Sequence, residues 1–395
     1  SVAWAAYGKE AVKGALARYK GSLADRIDIL LRSANRNQTV GIPIGPETSR
    51  IIAEVLSARV DYEFSREMGA KVGSKQVDRL QDDWFVGIPS LEDAEAVLSA
   101  IRRVYRHFGL EINGSKTSID RTVEISDPAW LSHIGSFLAH RSGPLRSTRL
   151  REFLSLTLRL QAENPPEPVI SYALSVVEST AFGSDDIEAL ESFLLKAAVM
   201  SPGSLDKICR VLINIDHSTS RIARKRVVSR FVKLLEVALE NGNMFEAIWL
   251  TYTIRGIKQP LESKAVSDLM EDHAGSALPL ILLDMKSKGL FPRSLPIGKW
   301  EGLMTEEATR QSWSWLLAYE GARKGWLTDS RGLLSKKFFK PLHDRDVVFY
   351  DPKRNVETLQ KAVRVRRVAN RRVEFETQRL LALLRGFSTG WSGTP

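Results

Sequence analysis

Asp82 and Asp83 stand side by side between two short apolar, β-prone stretches, in Val77-Asp78-Arg79-Leu80-Gln81-Asp82-Asp83-Trp84-Phe85-Val86-Gly87-Ile88. Adjacent carboxylates are costly to hold ionised unless water or a cation lies near them. Magnesium, bound by one or two carboxylates together with substrate phosphates, is a natural compensator. Read as strand, turn and strand, the stretch puts the pair at a hairpin tip, where alternation sends one carboxylate to each face. Asp-Asp is also common in purely structural turns, so the pair gains meaning only from its neighbours. Two neighbours stand out: the loop Gly41-Ile42-Pro43-Ile44-Gly45-Pro46, and Lys116 in the turn Asn113-Gly114-Ser115-Lys116-Thr117. A rigid loop before a helix, a metal-capable acidic turn and a lysine about 35 residues beyond it suit phosphoryl transfer, where positioning and charge neutralisation dominate. In a two-metal nucleotidyl transfer the cations stabilise the attacking and leaving oxygens, and a lysine protonates or neutralises the departing pyrophosphate.

The elements that must position these residues follow from periodicity. Lys9 to Tyr19 and Leu23 to Leu31 carry helical spacing, broken near Gly21-Ser22. Two glycines and two prolines in the loop forbid a helix, and Ile51, Ile52, Val55, Leu56 and Val60 then restore helical periodicity to about Phe64. The loop therefore opens onto a helix N-terminus, a place suited to phosphate. Ser90 and Asp93 form a capping arrangement before an amphipathic helix that Gly109 ends. Leu110-Glu111-Ile112 and Lys116-Thr117-Ser118-Ile119, around the Asn113 turn, read as a short second hairpin. From about Ser147 the chain becomes a run of Leu-rich helices punctuated at Pro165-Pro166, Gly183-Ser184, Ser201-Pro202-Gly203, Asn241-Gly242-Asn243, Gln259-Pro260 and Pro292. No strict period is visible, so the expectation is a degenerate stack of helical hairpins, at its most regular a solenoid.

Length and charge set the class. A chain of 395 residues exceeds the usual single domain, and 43% hydrophobic with 26% charged residues is ordinary for a globular protein. No apolar run is long enough to span a bilayer, so a soluble, cytoplasmic protein without a membrane partner is expected. The single Cys209 lies in an apolar helical pattern and reads as a buried, inert thiol. Six scattered histidines make no zinc site. The net charge of +10 is regional: residues 321 to 372 hold 15 Lys and Arg against 5 Asp and Glu, and the remainder balances. Interleaved with Trp326, Phe338, Phe339, Phe349 and Tyr350, this segment suits a phosphate backbone and stacked bases. Lys336, Lys337, Lys340, Arg364, Arg366, Arg367, Arg371 and Arg372 are the candidate contacts, against the alternative of a solvated basic face.

In this order the motifs resemble the palm of reverse transcriptases. Gly41-Ile42-Pro43-Ile44-Gly45-Pro46-Glu47-Thr48-Ser49 is similar to the family's Gly-x-Pro-Gln-Gly-x-x-x-Ser element beside template and incoming nucleotide. Leu80-Gln81-Asp82-Asp83 is similar to its Tyr-x-Asp-Asp turn, and Gly109-Leu110-Glu111-Ile112-Asn113-Gly114-Ser115-Lys116-Thr117 to its Gly-Leu-x-x-Asn-x-x-Lys-Thr element. With the long helical remainder, the likeness is greatest to bacterial reverse transcriptases of the antiphage-defence and abortive-infection groups. It covers about residues 38 to 120, and Ile44 and Leu80 depart from it.

The resemblance implies an α+β palm remnant over 1–125, a thumb-like connection over 126–160, a helical domain over 161–320 and a basic helical segment over 321–395, predominantly α overall. It implies an RNA-directed DNA polymerase, a magnesium- or manganese-dependent nucleotidyltransferase of antiviral defence. Asp82 and Asp83 would bind metal, Lys116 would contact the triphosphate, and Gly41, Pro43, Gly45 and Ser49 would shape the nucleotide and template pocket. The implied partners are dNTPs, an RNA template or noncoding RNA and a DNA product, with oligomerisation or a partner protein left open. The family's first catalytic aspartate belongs to a strand upstream of the Gly-Pro loop, and this chain starts at Ser1 where that strand would just have ended. Asp25 and Asp28 lie in a helical pattern and are poor substitutes. The expectation is a fragment that is inactive as it stands. Two alternatives remain: a template-independent DNA polymerase of the same family, and a non-catalytic nucleic-acid-binding helical scaffold.

Overall fold

The computed structural model describes residues 2–356 apart from 36, 39, 40, 43, 70, 123–126, 140–146, 179–183, 220, 271–276, 312, 313 and 355. The chain is predominantly α-helical, and the described residues contain one two-stranded antiparallel hairpin. It divides into two compact units, Ser1–Ser126 and Asp127–Pro395.

Unit 1 begins with the short helices α1 (Val2–Tyr7), α2 (Lys9–Gly14) and α3 (Leu16–Tyr19), followed by α4 (Leu23–Ala34). The longer α5 (Glu47–Met68), the strands β1 (Val77–Leu80) and β2 (Asp83–Val86), and α6 (Leu91–His107) complete it. Ser22 caps α4 by accepting from the Asp25 N–H at 3.3 Å, and the Asp25 carboxylate accepts in turn from the Gly21 N–H at 2.8 Å. Asp28 spends its carboxylate on α1, accepting from the N–H groups of Val2 at 2.9 Å and Ala3 at 3.0 Å. Asp28 thus satisfies the first donors of α1, which would otherwise be unpaired, and Asp25 ties down the chain entering α4. Val60, Phe64 and Met68 of α5 meet Val97, Ala100, Ile101 and Val104 of α6 in a core closed by Val77, Trp84 and Val86 of the hairpin. Alternation is strict: Val77, Arg79, Trp84 and Val86 face that core, while Asp78, Leu80, Asp83 and Phe85 face out.

The second hairpin does not form. Residues 110–113 and 117–121 carry no strand pairing, and a single 3₁₀ turn spans Gly114–Lys116. The Asn113 side chain accepts from Ser115 N at 3.1 Å and Ser115 Oγ at 2.7 Å, while Thr117 Oγ1 donates to the Asn113 carbonyl at 2.9 Å. The turn closes on its own side chains, which competes with a cross-strand ladder.

Unit 2 contains α7 (Ala129–Ala139), α8 (Ser147–Glu163), α9 (Val169–Glu178), α10 (Ile187–Met200), α11 (Leu205–Thr219), α12 (Arg224–Glu240) and α13 (Met244–Gly256). These are followed by α14 (Lys264–Leu269), α15 (Leu278–Ser287), α16 (Ile297–Gly302), α17 (Glu306–Gln311), α18 (Trp315–Arg323) and α19 (Lys340–His343). α8 packs on α9 and α10, α11 on α9, α10 and α13, α12 on α13 and α14, and α15 on α13 and α18. Apart from α15 with α18, these contacts are to the next helix or the next but one, as in stacked helical hairpins. One continuous core runs from Trp130 to Phe339. Among the described residues no helix is long and apolar enough to cross a membrane. Cys209 is fully buried, and burial pushes its thiol up to about 12.

Candidate functional site

The acidic pair occupies the tip of the hairpin. Leu80 pairs with Asp83, leaving Gln81 and Asp82 as a two-residue turn. Gln81 takes φ 59°, a left-handed value usually given to glycine, while Asp82 stays at negative φ. A positive φ at the first central residue matches the right-handed twist of the flanking strands. Asp82 and Asp83 are both exposed, and their carboxylates have no ion pair among the described residues.

Arg79 anchors this tip, and sequence reading did not single it out. Its Nε donates to both oxygens of Asp61 at 2.8 and 3.0 Å, and its Nη1 and Nη2 reach Glu54 at 3.1 and 2.6 Å. Nη1 also donates to the carbonyl of Gln81, inside the turn itself. With its side chain only 10% exposed, Arg79 ties β1 and the turn to one face of α5. The hydrogen bonds Arg79 donates to Glu54 and then Asp61 raise the Arg79 pKa further above its ordinary value, and the Arg79 hydrogen bond holds Glu54 below the usual carboxylate value. A signal existed: Glu54 and Asp61 are seven residues apart and so share a helix face, and the inward strand parity runs Val77, Arg79. An arginine at an inward position asks for a carboxylate partner. Trp84 seats the other strand, edge-on to Phe64 at 5.1 Å and to Tyr105 at 6.4 Å. Desolvation chiefly raises the Tyr105 hydroxyl, with Asp61 and Asp82 adding to it.

The Gly-Pro loop leads into the same helix. Pro46 precedes α5 at φ −64°, and Ser49 donates its N–H to the Pro46 carbonyl at 3.0 Å, with little of its surface exposed. Gly41 and Gly45 adopt φ 80° and 119°, and a Cβ at either would meet nothing within 4 Å. Their glycines thus serve backbone conformation, not close approach by another part of this chain. Ser49 and Glu54 are five residues apart, about 7.5 Å along a helix axis, so the anchor of the acidic tip lies within two turns of the loop. Ile44 is fully exposed and Leu80 is 70% exposed at the two positions that depart from the resemblance. Pro43 lies outside the described residues. Lys116 is exposed, in a turn whose preceding Ile112 packs on the α5–α6 core.

Among the described residues no group of three or more His, Cys, Asp or Glu side chains could hold a metal ion. Asp82 and Asp83 meet the lesser requirement of magnesium shared with substrate phosphates, namely one or two accessible carboxylates.

The basic segment is organised otherwise than its composition suggests. Phe339 is fully buried and stacked on Tyr319, Tyr350 is half-buried and donates its hydroxyl to Asp284 at 2.9 Å, and Trp326 packs against Tyr350. Only Phe338 and Phe349 of the five aromatics are exposed. Lys336 and Lys337 are exposed, whereas Lys340 pairs with Asp344 at 2.7 Å. Arg364, Arg366, Arg367, Arg371 and Arg372 lie outside the described residues. No family model and no curated protein matches the chain.

Proposed function

We propose that unit 1 carries the palm core of an RNA-directed DNA polymerase of the antiphage-defence type, with unit 2 as its helical accessory domain. The observation that carries this reading is the placement of Asp82 and Asp83. Both are exposed and without an ion pair among the described residues, Asp82 in the two-residue turn and Asp83 at the start of β2, on a hairpin tip that Arg79 fixes to the helix emerging from the Gly-Pro loop. In this reading Asp82 ligates magnesium or manganese with Asp83 assisting, and Lys116 contacts the triphosphate. Such an ion, when bound, neutralises charge on the reacting phosphate oxygens. Gly41, Pro43 and Gly45 set the path of the loop beside nucleotide and template. Ser49, being buried, contributes through the start of α5. Synthesis without a template uses the same residues and is told apart by omitting the template.

Two adjacent carboxylates leave two-metal chemistry short of a ligand, and neither Asp25 nor Asp28 supplies it in this reading, since Asp25 accepts from the Gly21 N–H and Asp28 from the first N–H groups of α1. The 395 residues alone are therefore expected to incorporate little or no dNTP on a primed RNA template. A chain given an added N-terminal strand that carries an aspartate should be active. Asp82→Ala in that chain should lower incorporation at least about a hundredfold, as loss of a preorganised electrostatic group does. Magnesium-dependent incorporation by the 395 residues, or full activity of Asp82→Ala, overturns the reading. A non-catalytic nucleic-acid-binding scaffold is the second reading, favoured by the exposed Lys336 and Lys337 on the well-packed unit 2. It expects Asp82→Ala to leave function intact.

A further inference from the structure

We infer that unit 2 binds one nucleotide unit of a single-stranded nucleic acid in the cleft between the end of α18 and the segment 348–354. The cleft measures about 590 Å³ and is lined by Arg323, Lys324, Phe349, Asp351, Lys353 and Arg354 among others. Its aromatic wall is fixed before any ligand arrives. Phe349 donates its N–H to the buried Glu320 at 2.6 Å, and its ring stands edge-on to Trp315 at 5.2 Å and Tyr319 at 5.8 Å. The residue nevertheless remains 49% exposed. A ring that is already immobilised yet open to solvent is what a nucleobase stacks on at small entropic cost.

The charges divide into held and available. Arg323 is committed to Asp346, and Lys324 to Glu320 at 3.1 Å. Lys353 and Arg354 are exposed and have no ion pair among the described residues. Asp351, the acid in the cleft, is turned to local use, accepting from the Lys353 N–H at 2.9 Å. Two available cations beside one open aromatic face match the phosphate and the base of a single nucleotide. An acidic peptide would engage the cations and leave Phe349 uncovered. An apolar ligand would do the reverse. The inference rests on the proposed nucleic-acid chemistry only for the kind of ligand, since it uses no residue of the acidic hairpin.

The test is fluorescence anisotropy of a labelled twelve-nucleotide oligouridylate titrated with the full chain at two salt concentrations. Lys353→Glu/Arg354→Glu should weaken binding at least about tenfold and flatten its salt dependence. Phe349→Ala should weaken it about tenfold with the salt slope unchanged, and Phe349→Trp should restore it. Asp82→Ala should bind as the parent does, so failure of the polymerase reading leaves this result standing. Full competition by free UMP at matched nucleotide concentration would make a free nucleotide the occupant and overturn the strand, whereas its absence supports a strand. No binding by the parent overturns the inference. So does binding that Lys336→Glu/Lys337→Glu weakens as much as the cleft charge reversal while Phe349→Ala leaves it unchanged.

Discussion

At the scale of single residues the hairpin depends on Arg79 more than on its apolar side chains. Leu80 and Phe85 face outward, so the inner face has only Val77, Trp84 and Val86 to bury, and a lone two-stranded hairpin is marginal. Arg79→Met should destabilise the hairpin by about 1–2 kcal/mol, between the values for exposed and buried pairs, because Glu54 and Asp61 keep partial access to water. The sign with pH follows from Glu54, whose folded pKa is depressed. Its contribution is complete above the ordinary carboxylate value and is lost as pH falls through the lowered one. Arg79 stays charged throughout. The protection of amides in β1 and β2, taken relative to the intrinsic exchange rate at each pH, should therefore fall on acidification in the parent and depend less on pH in Arg79→Met. The opposite ordering would show that the carboxylates contribute little. Cys209 follows its sequence reading, because a thiol whose pKa is pushed up to about 12 is protonated at neutral pH.

At the scale of elements the sequence was legible wherever the determinant was local. The Ser90 cap precedes α6, with the Asp93 N–H donating to Ser90 Oγ at 3.1 Å, and the acidic turn falls between two strands. The second hairpin was misread because β-prone residues around Asn113 carry no information about whether a partner strand exists. Asn113 satisfies the turn by itself. The Arg79 anchor spans 18 and 25 residues, and the buried aromatics of the basic segment meet partners from other helices, so neither is visible to local pattern. Helix packing in unit 2 supplies a sharper test. Gly256 ends α13 against Ile213 of α11, where a Cβ would lie 2.7 Å from Ile213 Cδ1 and 2.9 Å from Cγ1. Alanine gains about 1 kcal/mol of helix propensity but overpacks the contact by about 1–3 kcal/mol. Gly256→Ala should thus be neutral to destabilising, up to about 2 kcal/mol by urea denaturation, and Ile213→Val should recover part of the loss. A stabilised Gly256→Ala would mean that Ile213 yields freely.

At the scale of the whole molecule, the segment of unit 2 around Tyr350 and Pro352 is held by buried charge. Asp284, 1% exposed, accepts from Arg255 Nε, from Lys288 and from the Tyr350 hydroxyl, and Arg255 Nη2 continues to the Pro352 carbonyl at 2.6 Å. Asp284→Ala leaves a buried guanidinium without its partner and should cost about 3–5 kcal/mol. Thermal melting of the full chain should show the loss, together with faster amide exchange at Phe349 and nearby residues. Retention of the parent melting temperature would mean that the aromatic contacts alone hold the segment. The hairpin also bears on how the molecule behaves in concentrated solution. Among the described residues both of its strands are edges, each with a row of backbone groups that a second copy can pair with. Asp78, Asp82 and Asp83 place like charge along that ribbon, so two molecules approaching strand to strand repel each other. The acids proposed to gather metal are thereby also a guard against aggregation, and exchanging them for amides to silence the site would turn a self-avoiding surface into a sticky one.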